Sequence, residues 1–71
     1  MKLNYYPETD SLYIDLADEP STESQEIRPG VVLDFNAQGR LVGIDIDYAS
    51  KNASLSTVTM DQLPFRTAGA A

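Results

Sequence analysis

Seventy-one residues carrying 11 acidic and 5 basic side chains, with a formal charge of -6 and a pI near 4.1, fit one small domain and leave no room for a second. At 42% hydrophobic and 23% charged the composition is too apolar for a disordered chain, and its scattered Lys and Arg exclude a basic patch for nucleic acid or an acidic lipid surface. Cys and His are both absent, which removes disulfides, thiolate or imidazole metal sites, and the Ser-His-Asp and Cys-His catalytic sets.

The fold class expected from the pattern is α+β, mainly β: a small antiparallel sheet of two hairpins plus a C-terminal strand, with one short helix. In the first hairpin Leu3 and Tyr5 share one face of a strand, and Leu12, Ile14 and Leu16 share one face of the next, the period of two that marks half-buried strands. Pro7-Glu8-Thr9-Asp10 joins them, Pro7 fixing φ and Asp10 bonding nearby backbone donors. The stretch from Ala17 to Glu26 is polar and contains Pro20, which reads as a flexible loop, and Arg28-Pro29-Gly30 reads as a break.

A second hairpin follows. Val31, Leu33 and Phe35 alternate with Val32, Asp34 and Asn36, and Val42, Ile44 and Ile46 alternate with Leu41, Gly43, Asp45 and Asp47. Gly39 stands where the connection needs a left-handed residue. Asp47 is expected to cap one helical turn over Tyr48 to Asn52. Beyond it Val58 and Met60, alternating with Thr57 and Thr59, read as the C-terminal strand, and Leu63 and Phe65 around Pro64 are expected to close the open end of the core. Residues 1–66 form the expected domain and 67–71 a frayed tail. The expected core is Leu3, Tyr5, Leu12, Ile14, Leu16, Leu33, Phe35, Val42, Ile44, Ile46, Val58 and Met60.

Charge is distributed unevenly. Residues 1–26 hold seven acids and one base, whereas residues 27–71 hold four of each. The ordinary reading of the acidic stretch is a solvated connector; the functional one is a docking strip for a basic partner, with Asp18, Glu19, Glu23 and Glu26 as contacts. Tyr6 and Tyr13 occupy the polar register of neighbouring strands, where they stack across the hairpin or anchor a partner. Asp15, Asp34, Asp45 and Asp47 fall on the face opposite the apolar set. That face reads first as an ordinary wet surface, and second as an oxygen site for Mg²⁺ or Ca²⁺ built on Asp15, Asp34 and Asp45.

No catalytic set presents itself. Lys51 beside Ser50 or Ser54 lacks supporting context, and the four glycines have neither dinucleotide nor Walker spacing. The first residues, Met-Lys-Leu-Asn-Tyr-Tyr-Pro, offer no apolar targeting segment, and no apolar run is long enough to span a bilayer. A cytoplasmic chain without a cofactor is expected.

Several segments taken together resemble a known group: Tyr6 to Asp10 followed by Ser11-Leu12-Tyr13-Ile14, then Pro29-Gly30-Val31-Val32-Leu33-Asp34, then Gly39-Arg40-Leu41-Val42-Gly43-Ile44-Asp45-Ile46 and Ala49-Ser50. This pattern is similar to that of the bacterial domain-of-unknown-function family 2283, over roughly residues 4–52, with Asp45 where the family pattern has Glu. The resemblance implies a compact, mainly β domain of prokaryotic type, often a stand-alone short protein, with no established activity. It also implies an antitoxin-like role for members encoded beside small toxin-like proteins, and a -6 surface would steer a basic RNA-cleaving partner.

The expected function is therefore a noncatalytic protein–protein interaction domain, a homo-oligomer and most simply a homodimer. Its second expected role is as the acidic neutralising partner of a small basic protein. The alternative is a divalent-metal-binding protein or metal-dependent hydrolase that uses the clustered aspartates.

Overall fold

The computed structural model describes residues 1–64. Its elements are β1 (Lys2–Tyr6), β2 (Ser11–Asp15), β3 (Glu23–Arg28), β4 (Val31–Phe35), β5 (Leu41–Ile46) and α1 (Ala49–Asn52). The strands make one five-stranded sheet in the order β1-β2-β5-β4-β3, and every pairing is antiparallel. Both expected hairpins form, and pairing of β2 with β5, which sets Leu12 opposite Ile46 and Ile14 opposite Ile44, merges them. A one-residue slip there would turn every apolar side chain to the other face. The result is a mainly β α+β fold.

Left-handed positions close the turns. Asp10 adopts φ 53° and Gly39 φ 81°, conformations that glycine takes freely and aspartate tolerates. The β4–β5 connection is also tied by Asn36, a buried polar residue whose Oδ1 accepts the amides of Gln38 at 3.0 Å and Arg40 at 2.9 Å. An Asn side chain bonding the backbone just ahead is the usual chemistry of such a turn.

The structure corrects four expectations. First, the expected loop ends early. Glu23–Arg28 is the edge strand β3, and Arg28-Pro29-Gly30 is no break but the tight turn into β4. Proline followed by Gly30 at φ 85° is the residue pattern of a type II turn. All six residues of β3 are exposed, so its two faces are equally wet and no alternation marks it.

Second, no strand forms at Thr57 to Met60: Val58 is 65% and Met60 54% exposed, and β3 occupies the position beside β4. Third, Asp47 does not cap α1. Tyr48 precedes the helix at φ 50° without a side-chain cap bond, and Asp10 of the β1–β2 turn supplies the acceptors instead. Its backbone oxygen takes the Ala49 amide at 2.8 Å, and its carboxylate takes the Ser50 amide at 3.1 Å and the Ser50 hydroxyl at 2.6 Å.

Fourth, the core is far smaller than expected. Val42 and Ala49 are the buried apolar residues among those described. Leu12, Ile14, Leu16, Leu33, Phe35, Ile44 and Ile46 are half-buried, whereas Leu3 and Tyr5 are exposed. The cause is architectural: an apolar sheet face needs a second layer, and α1 spans only four residues. Phe65, the domain boundary at 66 and the expected tail 67–71 lie outside the described residues. Among the described residues no helix is long and apolar enough to cross a membrane.

Candidate functional site

Strand register sorts the side chains into rows across the sheet. One face carries Leu3, Ile14, Ile44, Leu33 and Gln25 in its middle row, and Tyr5, Leu12, Ile46, Val31 and Arg28 in the next. The opposite face carries Asn4, Tyr13, Asp45, Val32 and Glu26, then Lys2, Asp15, Gly43, Asp34 and Ser24. The first is largely apolar, and at its β1–β2 end Leu3, Tyr5 and Leu12 line a cavity of about 420 Å³ together with Ser50, Leu55 and Val58. The second is acidic.

Tyr13 organises the acidic face. Its ring crosses β5 above Gly43, and its hydroxyl donates to Asp34 Oδ2 at 2.8 Å. Asp34 Oδ1 accepts from Ser24 at 2.6 Å, so the chain of bonds runs from β2 over β5 to β4 and β3. A Cβ at position 43 would stand 2.6 Å from Tyr13 Cζ, closer than carbon atoms pack, so Gly43 is required by the ring above it. Partial burial, then the Asp34 hydrogen bond, then the charges of Asp34, Asp15 and Asp45 push the Tyr13 hydroxyl up to about 12. Burial also raises Asp45, helped by the nearby charges of Asp47 and Asp34.

A second polar centre lies at the β1–β2 turn. Asp10 accepts from Tyr5 at 2.7 Å as well as from Ser50. The Ser50 and Tyr5 hydrogen bonds hold its carboxyl below the usual range, and the same contact raises the Tyr5 hydroxyl.

The residues expected to bind a partner are dispersed. Tyr6 is exposed at the end of β1, but Tyr13 leans toward Asp34 and away from β1, so the two rings do not stack. Glu19 accepts from Asn36 Nδ2 at 2.8 Å and lies 3.7 Å from Arg40, clasping the β2–β3 connection to the β4–β5 turn. Asp18 lines a shallow cleft of about 320 Å³ with Asp15 and Lys2. Glu23 pairs with Phe35 and Glu26 with Val32, which puts these two acids on opposite faces. They do not form one strip.

Nor do Asp15, Asp34 and Asp45 gather as a metal site. Asp15 and Asp34 flank Gly43 on either side of β5, the Tyr13 ring fills the space between them, and both Asp34 oxygens are taken by hydroxyls. Among the described residues no group of three or more His, Cys, Asp or Glu side chains is placed to hold an ion. Asp10, Asn36 and Gly43 were not singled out for these roles. Gly43 carried a readable signal, since glycine inside a strand marks close approach by another group.

A family model described as Protein of unknown function (DUF2283) matches residues 2–50. The match takes in all five strands and ends at the serine that Asp10 holds. No curated protein matches, and no solved structure matches.

Two outcomes test the Tyr13 arrangement. Gly43→Ala lowers stability by about 1–3 kcal/mol through overpacking, seen as a lower urea midpoint, but in a Tyr13→Ala background the same change is neutral or slightly stabilising. In alkali, the raised folded-state value means the folded chain holds the phenol proton more tightly than the unfolded one. That contribution is complete below pH 10, where an unperturbed tyrosine titrates, and is lost as pH rises toward about 12. Denaturation of Tyr13→Phe across this window shows a shallower alkaline decline than the parent.

Proposed function

We propose that this chain, which belongs to the DUF2283 family, is a noncatalytic protein–protein interaction domain that self-associates through its sheet. One observation carries the reading: a five-stranded sheet presents a face of Leu, Ile and Val side chains on which Leu3 remains 50% exposed. Contiguous apolar surface of this kind marks an interaction site. A domain this small commonly needs disulfides, a metal or another subunit for support. With neither Cys nor His in the chain, another subunit answers that need most directly. The noncatalytic part rests on the polar groups, because Tyr13, Asp34 and Ser24 satisfy one another and Tyr5, Asp10 and Ser50 do the same.

A second reading concerns the other face. Asp15, Asp34, Asp45 and Glu26 share it with Lys2 as the basic residue in those rows, which favours a small basic protein as partner by electrostatic complementarity.

Light scattering tests the first reading: a mass near twice 7.8 kDa is expected, and a monomer over a wide concentration range overturns it. For the second, a basic protein is expected to copurify from the native host, to release as salt rises, and to be lost in the Asp15→Asn/Asp45→Asn variant. Recovery of the chain alone at low salt overturns it.

A further inference from the structure

We infer that the cavity between the β1–β2 end of the sheet and the segment after α1 binds a small molecule with an apolar body and a cationic amine head. The site does not depend on the self-association proposed above. Its wall is Leu3, Tyr5, Leu12, Ser50, Leu55 and Val58, whereas Ile44, Leu33 and Val31 of the same face stand outside it.

Two parts of the chain build the cavity. β1 and β2 supply Leu3, Tyr5 and Leu12, with Tyr5 and Leu12 opposite each other in the register. The segment beyond α1 supplies Leu55 and Val58, and Ser50 of α1 completes the wall. Asp10 holds these parts together, because it accepts from Tyr5 on one side and from Ser50 on the other. The volume is about 420 Å³, within the roughly 300–1,000 Å³ of small-molecule pockets, which are mostly apolar with a few placed polar groups. Four aliphatic side chains and the Tyr5 ring suit an apolar body.

Hydrogen bonding selects the head. Tyr5 and Ser50 are the lining residues with polar side-chain atoms, and both hydroxyls donate to Asp10, at 2.7 Å and 2.6 Å. What each oxygen keeps is acceptor capacity, strengthened because donation to a carboxylate polarises the hydroxyl. Backbone donors beside them are spent as well: the Ala49 amide goes to the Asp10 carbonyl at 2.8 Å and the Ser50 amide to the Asp10 carboxylate at 3.1 Å. The polar end of the wall therefore accepts and does not donate. An ammonium, which only donates, is matched there, while a carboxylate or phosphate finds no donor.

Charge agrees with this choice. The Ser50 and then the Tyr5 hydrogen bonds hold the Asp10 carboxyl below its usual range, with Lys51 adding least. A negative charge thus stands directly behind both hydroxyls at neutral pH. The net charge of -6 also draws cations toward the chain from a distance.

Tryptamine is a suitable probe, and indole-3-propionate, with the same ring and a carboxylate head, is its counterpart. In an amide-resolved NMR titration of the full chain, tryptamine is expected to shift the resonances of the lining residues. Saturation is expected with a Kd near ~1 mM, the scale open to a probe of about a dozen heavy atoms. Indole-3-propionate is expected to bind at least about tenfold more weakly. Val58 is 65% exposed, so Val58→Lys leaves the fold intact while setting a like charge at the cavity, and it is expected to weaken tryptamine about tenfold. Asp15→Asn/Asp45→Asn, on the other face, is expected to leave the Kd within about twofold.

Equal affinity for the two probes overturns the amine head. Shifts centred on Asp15 and Asp45 that disappear in their double variant mark simple attraction to the acidic face and overturn the site. So does a failure to saturate by about 10 mM.

Discussion

The structure depends on one constraint: a sheet whose apolar face has, among the described residues, only α1 and the short segment bearing Leu55 and Val58 to set against it. Five strands use up most of the first 46 residues, and the one helix among the described residues is a single turn. An amphipathic sheet hides its apolar side only by packing against another layer. Among the described residues, apolar burial is confined to Val42, whose backbone oxygen accepts the amides of Leu16 and Ala17, and Ala49, where α1 folds back on the β1–β2 turn. Leu12, Ile14, Leu33, Phe35, Ile44 and Ile46 are half-covered, and Leu3, Tyr5 and Ile27 are exposed.

Polar side chains hold the register that a core would otherwise hold. Tyr13, Asp34 and Ser24 connect β2 to the β3–β4 hairpin with β5 passing beneath the ring, so β2, β5, β4 and β3 cannot slide independently. Asp10 fastens the first hairpin to α1 over a sequence separation of 40 residues. Asn36 and Glu19 fasten the β2–β3 connection to the β4–β5 turn. Such bonds contribute modestly to net stability in water, but each has a definite geometry, and together they specify one pairing among those that the hydrophobic pattern allows. Of the aspartates that look like spare functional groups in the sequence, Asp34 is occupied in this way through both carboxylate oxygens.

What was legible follows from the same physics. Residues of β1, β2, β4 and β5 alternate because one side of each strand meets apolar neighbours and the other meets water, and a period of two reports that contrast directly. β3 has no contrast to report: Glu23, Ser24, Gln25 and Glu26 are polar on both sides, and β4 recruits them through backbone hydrogen bonds that composition does not reveal. Val58 and Met60 carry the opposite lesson: they alternate, yet β3 takes the place beside β4 and both side chains stay exposed. The polar face was placed correctly, yet its chemistry was not readable, because Asp15, Asp34 and Asp45 are kept apart by a tyrosine ring whose path depends on Gly43. That glycine was a clue in the sequence, but its meaning required knowing which residue of β2 lies diagonally opposite.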